Sequence, residues 1–182
     1  LKNWAPAPVP AREIDAVVLT HAHLDHSGYL PRLVAQGFRG PIFCTAATKA
    51  LCEVLLPDSG RLQEEEAEYA NRKGSSKHAP ALLLYDEAQA RECIKQMHPV
   101  EFLAGFEALP GLRASLHAEG HLLGAAGVLL ASTAGSVYFS GDVGRPNDPV
   151  LLPPSPPPGS DWLVVEPTYG NRSHPDEDTR TA

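Results

Sequence analysis

Ala16-Val17-Val18-Leu19-Thr20 runs directly into His21-Ala22-His23-Leu24-Asp25-His26, and the reading of this stretch decides the fold class. The first five residues are continuously apolar apart from Thr20 and rich in β-branched side chains, the pattern of a buried strand. The next six set three imidazoles and a carboxylate where that strand runs out. In extended backbone the side chains alternate with period two, so positions 21, 23 and 25 are expected to point the same way. His26 follows as the chain turns into a helix and is expected to aim elsewhere, which offers two neighbouring pockets. Imidazole nitrogen with carboxylate oxygen suits zinc ahead of manganese or iron.

Working outward, Leu30, Leu33, Val34 and Phe38 recur at helical spacing, closed by Gly37 and Gly40, and residues 41–45 predict a second short strand. Residues 46–73 read as a helix with an apolar stripe of Leu51, Val54, Leu55, Leu62 and Tyr69, in which Pro57 is expected to cause a kink or break. Glu64, Glu65, Glu66 and Glu68 read as a solvated helix face. A polar loop at 74–80 leads to a helix over 86–97 with Asp86 as its N-cap. Strands are predicted at 112–117, 126–131, 137–140 and 162–166, the last two separated by a proline-rich surface loop at 146–158. This order predicts an α/β layered fold with a mixed sheet.

Composition bounds the rest. A chain of 182 residues with 43% hydrophobic and 20% charged residues suits one domain with a real core, and excludes disorder and collagen-like repeats. Lys plus Arg number 15 against 22 for Asp plus Glu, a net charge of −7. That balance argues against strong non-specific nucleic-acid binding, although a local patch or a bound metal can still meet phosphate. Cys44, Cys52 and Cys93 are odd in number and lack CxxC spacing, so they read as reduced, buried thiols in a cytoplasmic protein. No apolar run long enough for a membrane span and no signal peptide are evident. Residue 1 is Leu and the only methionine is Met97, so a piece of a longer protein is expected.

Two further candidates follow the histidine cluster. His121 lies in the small-residue turn Glu119-Gly120-His121-Leu122-Leu123-Gly124-Ala125, and Asp142 in Ser140-Gly141-Asp142-Val143-Gly144. Each follows a predicted strand, and flanking glycines let backbone come close to an ion. Either alone would be read as structural, and their weight comes from arriving in order behind the first cluster. His117, at a strand end four residues before His121, reads as a core or surface histidine, and His78, His98 and His174, in loops beside Pro or Lys, are also read as structural.

With these motifs in place, the chain resembles the metallo-β-lactamase fold superfamily, in which HxHxDH is followed by a single His and then a bridging Asp. The resemblance implies a four-layer αββα sandwich. It implies one zinc on His21, His23 and His121, a second on Asp25 and His26, and Asp142 bridging both, with a metal-bound hydroxide as nucleophile. Within the superfamily, the turn at His121 resembles the AGHxxGA turn of the β-CASP ribonucleases. Residues 138–144 resemble their fourth motif, and residues 164–170 resemble their ESTYG-type acidic motif, with Pro167 in place of Ser.

That likeness, spanning about Ile14 to Arg172, implies hydrolysis of RNA phosphodiester bonds, two zinc ions per complete site, and catalytic roles for Asp25 and Glu166. It implies RNA as partner, no membrane association, a cytoplasmic location and a homodimer of the full-length protein. Residues 1–182 would be a partial, incomplete metallo-β-lactamase domain. The first strands, most of a β-CASP insertion beginning at about 171 and the C-terminal part would be missing. Such a piece is expected to be poorly stable, to hold one zinc or fewer and to leave RNA uncut. A small-molecule hydrolase of thioesterase or lactonase type is disfavoured by Glu166 with Tyr169-Gly170. The DNA-repair branch is disfavoured by the His121 turn, and a non-catalytic scaffold by six intact ligand candidates.

Overall fold

The computed structural model describes residues 7–166. The apolar run contracts to a two-residue strand, β1 (Val17–Val18). Two short helices follow, α1 (Leu24–Ser27) and α2 (Leu30–Ala35), and then β2 (Ile42–Cys44). The long α3 (Ala46–Lys73) and α4 (Glu87–Ile94) lead to β3 (Met97–Pro99). These strands form a parallel sheet in the order β1-β2-β3, with Val17 opposite Ile42 and Ile42 opposite Met97. Parallel neighbours need crossover connections, and the two helix pairs supply them.

The remaining strands form a second sheet: β4 (Phe106–Leu109), β5 (Leu112–Ala118), β6 (Ala126–Ser132), β7 (Gly135–Phe139) and β8 (Trp162–Val164). They lie in sequence order and pair antiparallel, except that β7 and β8 run parallel. The expected mixed sheet is thus the second of two sheets, packed face to face as the resemblance implies. Alternation along β1 shows how. Val17 packs with the helical core around Phe38, Ile42 and Leu56. Val18 packs with Leu116, Ala126 and Val128 of the second sheet. Phe43 and Phe106 meet across the same seam at 4.7 Å between ring centroids. An apolar cavity of about 310 Å³, lined in part by Val18, Leu112, Leu130 and Phe139, remains in it.

Several local expectations are overturned. Helix α3 runs unbroken through the buried Pro57. Its buried face is Thr48, Cys52, Leu56, Pro57, Gly60 and Ala67, whereas Val54, Leu55, Leu62 and Tyr69 are exposed. Small residues win because α4 crosses so closely that a Cβ on Gly60 would lie 2.7 Å from the backbone nitrogen of Glu87. Glu64 is not merely solvated, since its carboxylate accepts from the Glu87 backbone N–H at 3.2 Å, at the positive end of α4. Asp86 caps α4 as expected, in a capping box with Gln89. Met97 falls on β3 instead of closing the helix, and β4 was also missed. The readings for residues 1–6, for Tyr169-Gly170, for His174 and for a domain beginning at about 171 lie outside the described residues. Among the described residues no helix is long and apolar enough to cross a membrane.

The packing makes a prediction about the thiols. Cys44, Cys52 and Cys93 are free and fully buried against the parallel sheet. Burial pushes their pKa values up to about 11, about 12 and about 12, because the thiolate loses its hydration. Since only the thiolate reacts, a water-soluble disulfide reagent at pH 8 is expected to label none of them in native protein and all three in denaturant. Rapid labelling of any one without denaturant would contradict the packing of α3 and α4 on the sheet.

Candidate metal centre

The end of β1 stays extended beyond its last paired residue. Leu19 N–H donates to Phe43 O at 2.8 Å, and Thr20 O accepts from Ala126 N–H of the second sheet at 2.9 Å. His21 is thereby carried, fully buried, to the junction of the two sheets. His23 holds extended dihedrals (φ −54°, ψ 144°) at the N-cap of α1, so positions 21 and 23 share a side as the alternation predicts. Position 25 does not. The helix begins at Leu24, and Asp25 turns outward with its side chain 78% exposed. His26, within the same helix, turns back: its Nε2 lies 3.2 Å from Asp142 Oδ1 and 3.7 Å from Asp25 Oδ2.

The structure brings His21, His23, His121 and Asp142 together, with one potential ligand atom from each lying within 4.8 Å of the others. His23 Nδ1 is 3.2 Å from His21 Nε2 and 3.1 Å from His121 Nε2. Asp142 Oδ2 is 3.7 Å from His21 Nε2 and 3.4 Å from His121 Nε2. Donor atoms about 2.0–2.1 Å from a tetrahedral ion lie roughly 3.3–3.4 Å apart, so the separations of 3.1–3.7 Å among three nitrogens and one oxygen are of the order that a bound metal ion needs. The three imidazoles stand nearly edge to face, at 80–83° between planes. Asp25 and His26 lie beside this group around Asp142, outside the four that converge.

Electrostatics suit the same chemistry. Burial, with His26 next, lowers the His21 pKa to about 4, against the raising effect of Asp142. At neutral pH the ring is therefore uncharged and has a lone pair to give. Its Nδ1 lies 3.1 Å from Thr20 Oγ1, a contact that fixes the ring's orientation and leaves Nε2 facing His23 and Asp142.

Neighbouring loops hold the other two ligands. The hydroxyls of Thr45 and Thr48, at the start of α3, donate to Gly124 O at 2.8 and 3.0 Å. Gly124 takes φ +83°, and a side chain there would meet Thr48 N at 2.7 Å, so only Gly lets the His121 turn dock on this helix end. On the other side, Ser140 N–H donates to Val164 O at 2.9 Å, and Glu166 N–H donates to Ser140 Oγ at 3.3 Å. These bonds place the Glu166 backbone against the strand end that leads to Asp142, although Glu166 is not among the converging residues.

Sequence reasoning assigned no role to Thr20, Thr45 or Thr48. In the structure Thr45 is the N-cap of α3, its Oγ1 accepting from Thr48 N–H at 3.1 Å. His117 is a structural histidine: its Nε2 lies 3.0 Å from Ser115 Oγ, its ring stacks edge-on against Tyr138, and burial lowers its pKa.

The chain is 34% identical over 173 residues to "Ribonuclease TTHA0252" of Thermus thermophilus, covering 95% of the chain and 36% of that protein. It is 33% identical over 162 residues to "Transcription termination factor FttA" of Methanococcus maripaludis, covering 87% and 23%. To "Cleavage and polyadenylation specificity factor 73" of Drosophila melanogaster it is 30% identical over 174 residues, covering 94% and 23%. The chain thus spans about a third or less of the length of these relatives. Among solved structures, a Cronobacter sakazakii metallo-beta-lactamase HARLDQ motif mutant, S60, aligns with TM-score 0.45 and 17% identity, over 77% of the chain and 45% of that structure. The metallo-beta-lactamase superfamily matches residues 6–179, nearly the whole chain, and the chain belongs to that superfamily.

Proposed function

We propose that this chain is the metal-binding part of a zinc-dependent hydrolase that cleaves RNA phosphodiester bonds, of the β-CASP ribonuclease type. The observation that carries the reading is the convergence of His21, His23, His121 and Asp142 from three separated segments. The relatives named for RNA cleavage or transcript processing support the substrate class. In this reading His21, His23 and His121 hold the first ion, Asp25 and His26 hold the second, and Asp142 faces both. Bound zinc supplies Lewis acidity and activates the attacking water near neutral pH.

The chain's own residues do the rest. Thr20 orients His21, and Thr45 and Thr48 seat the His121 turn. Glu166, held at the Ser140 turn, would take part in moving a proton toward the leaving group. A β-CASP domain from about residue 171 would complete the substrate channel, which reconciles an acidic chain with an RNA substrate. Three free, buried thiols suit a cytoplasmic setting.

The test is a labelled-RNA cleavage assay on the intact protein, with elemental analysis alongside. Chelator-sensitive cleavage restored by zinc is expected, with about two metals per chain. Metal content well below one per chain, or no cleavage of any RNA, would refute the reading. Glu166→Gln should lower turnover by about tenfold or more while RNA binding stays within a few-fold. A loss confined to binding would instead make Glu166 a positioning group.

A further inference from the structure

The turn that carries His121 and the turn that carries Asp142 leave from β5 and β7, two strands that are not neighbours, because β6 lies between them. Something must fix their separation, since His121 Nε2 and Asp142 Oδ2 stand only 3.4 Å apart. Glu119, just past the end of β5 and two residues before His121, is almost fully buried, as is Tyr138 on β7, four residues before Asp142. The Tyr138 hydroxyl donates to Glu119 Oε1 in a hydrogen bond that passes over β6.

It passes at Gly127, opposite His117 in the β5–β6 ladder. A Cβ there would overlap both Tyr138 Oη and Glu119 Oε1, so Gly127 leaves the space the bond occupies. The Glu119 backbone makes the other ties. Its N–H donates to Ala125 O at 3.1 Å, closing the His121 turn, and its O accepts from Gly144 N–H of the Asp142 turn at 2.7 Å. One residue therefore joins its own turn, the opposite turn and the strand beneath it.

Burying a carboxyl and a phenol costs desolvation that an apolar pair of similar volume would avoid. A core selected for stability alone would place apolar side chains here. We propose that Glu119 and Tyr138 form a positioning pair that sets the spacing of His121 and Asp142 and so tunes the affinity and geometry of the metal centre. This rests on the reading of His21, His23, His121 and Asp142 as ligands. Neither residue touches the ligand atoms. They act through the turns, as partners behind metal ligands commonly do.

Cobalt titration of the metal-stripped intact protein tests this, because the visible absorption of bound Co²⁺ reports coordination geometry independently of turnover. Tyr138→Phe and Glu119→Ala are expected to weaken Co²⁺ binding by about ten- to a hundredfold and to alter the spectrum. Glu119→Gln, whose amide oxygen still accepts from Tyr138, should stay within a few-fold of the parent. Tyr138→Phe removes a single oxygen, so it decides the matter even if Glu119→Ala fails to fold. Parent-like affinity and spectrum in Tyr138→Phe, with Co²⁺ binding lost in His121→Ala, would overturn the pair's role and leave the site reading standing. Parent-like binding in His121→Ala would instead overturn the site reading, and this proposal with it.

Discussion

Asp142→Ala is expected to abolish metal-dependent turnover, with a loss of at least about three orders of magnitude. Its carboxylate lies 3.2 Å from His26 Nε2, 3.4 Å from His121 Nε2 and 3.7 Å from His21 Nε2. Among the described residues it is the acidic side chain that faces both the converging group and His26. Removing it takes the carboxylate out of a crowd of imidazoles, since the ring centroids of His21 and His26 are 4.0 Å apart and those of His23 and His121 are 4.8 Å apart, and leaves Asp25 beside His26 alone. Asp142 also opposes the depression of the His21 pKa, so its loss should lower that pKa further. Elemental analysis of the variant should show both sites depleted, and a labelled-RNA assay should show only background. Retention of two metals, or activity within tenfold of the parent, would refute the proposed role of Asp142 between the two pockets.

Asp25→Ala is expected to lower turnover by about two orders of magnitude or more while leaving the fold intact. The carboxylate is largely exposed and reaches no protein group except His26, at 3.7 Å, among the contacts of the described residues. Exposed positions without structural partners usually change stability by less than about 0.5 kcal/mol, so thermal melting of the metal-free protein should be nearly unchanged. Metal content should fall toward one per chain, because the four converging residues keep the first pocket. Near-normal turnover at reduced metal content would mean that the second pocket does not take part in the reaction. Together the two variants separate the pockets, since one change should empty both and the other only one.

How much of this was legible in the sequence depends on the range of the interaction concerned. Strand β1 was legible, as were the full extent of α3, the Asp86 cap and the extended geometry that puts His21 and His23 on one side. Each is set by a few consecutive residues. The outward turn of Asp25 was not, because period-two alternation holds only while the backbone stays extended, and α1 begins one residue earlier. The buried face of α3 was also misread, for a different reason. A stripe of large apolar residues gives the strongest helical pattern, yet the partner helix selected the small ones around Gly60 by close backbone approach. Strands β3 and β4 are short, and their Met-His-Pro and Phe-Glu-Ala-Leu stretches lack clear alternation.

The sequence alone determined the chemistry on offer: the imidazoles and carboxylates, their order along the chain and the local strand-to-turn settings that expose them. It also determined the reduced thiols and the family likeness. Tertiary structure alone decided which donors meet. His121 lies 98 residues beyond His23, and nothing local brings them within 3.1 Å. That distance depends on two sheets meeting at Thr20 and Ala126 and on the Thr45 and Thr48 hydroxyls at the start of α3 holding the Gly124 carbonyl, while Tyr138 reaches over Gly127 to Glu119 beside the same turn. Ligand geometry on a scale of tenths of an ångström depends on such long-range contacts, because each turn is free to shift until the strands and helices on both sides of it are packed.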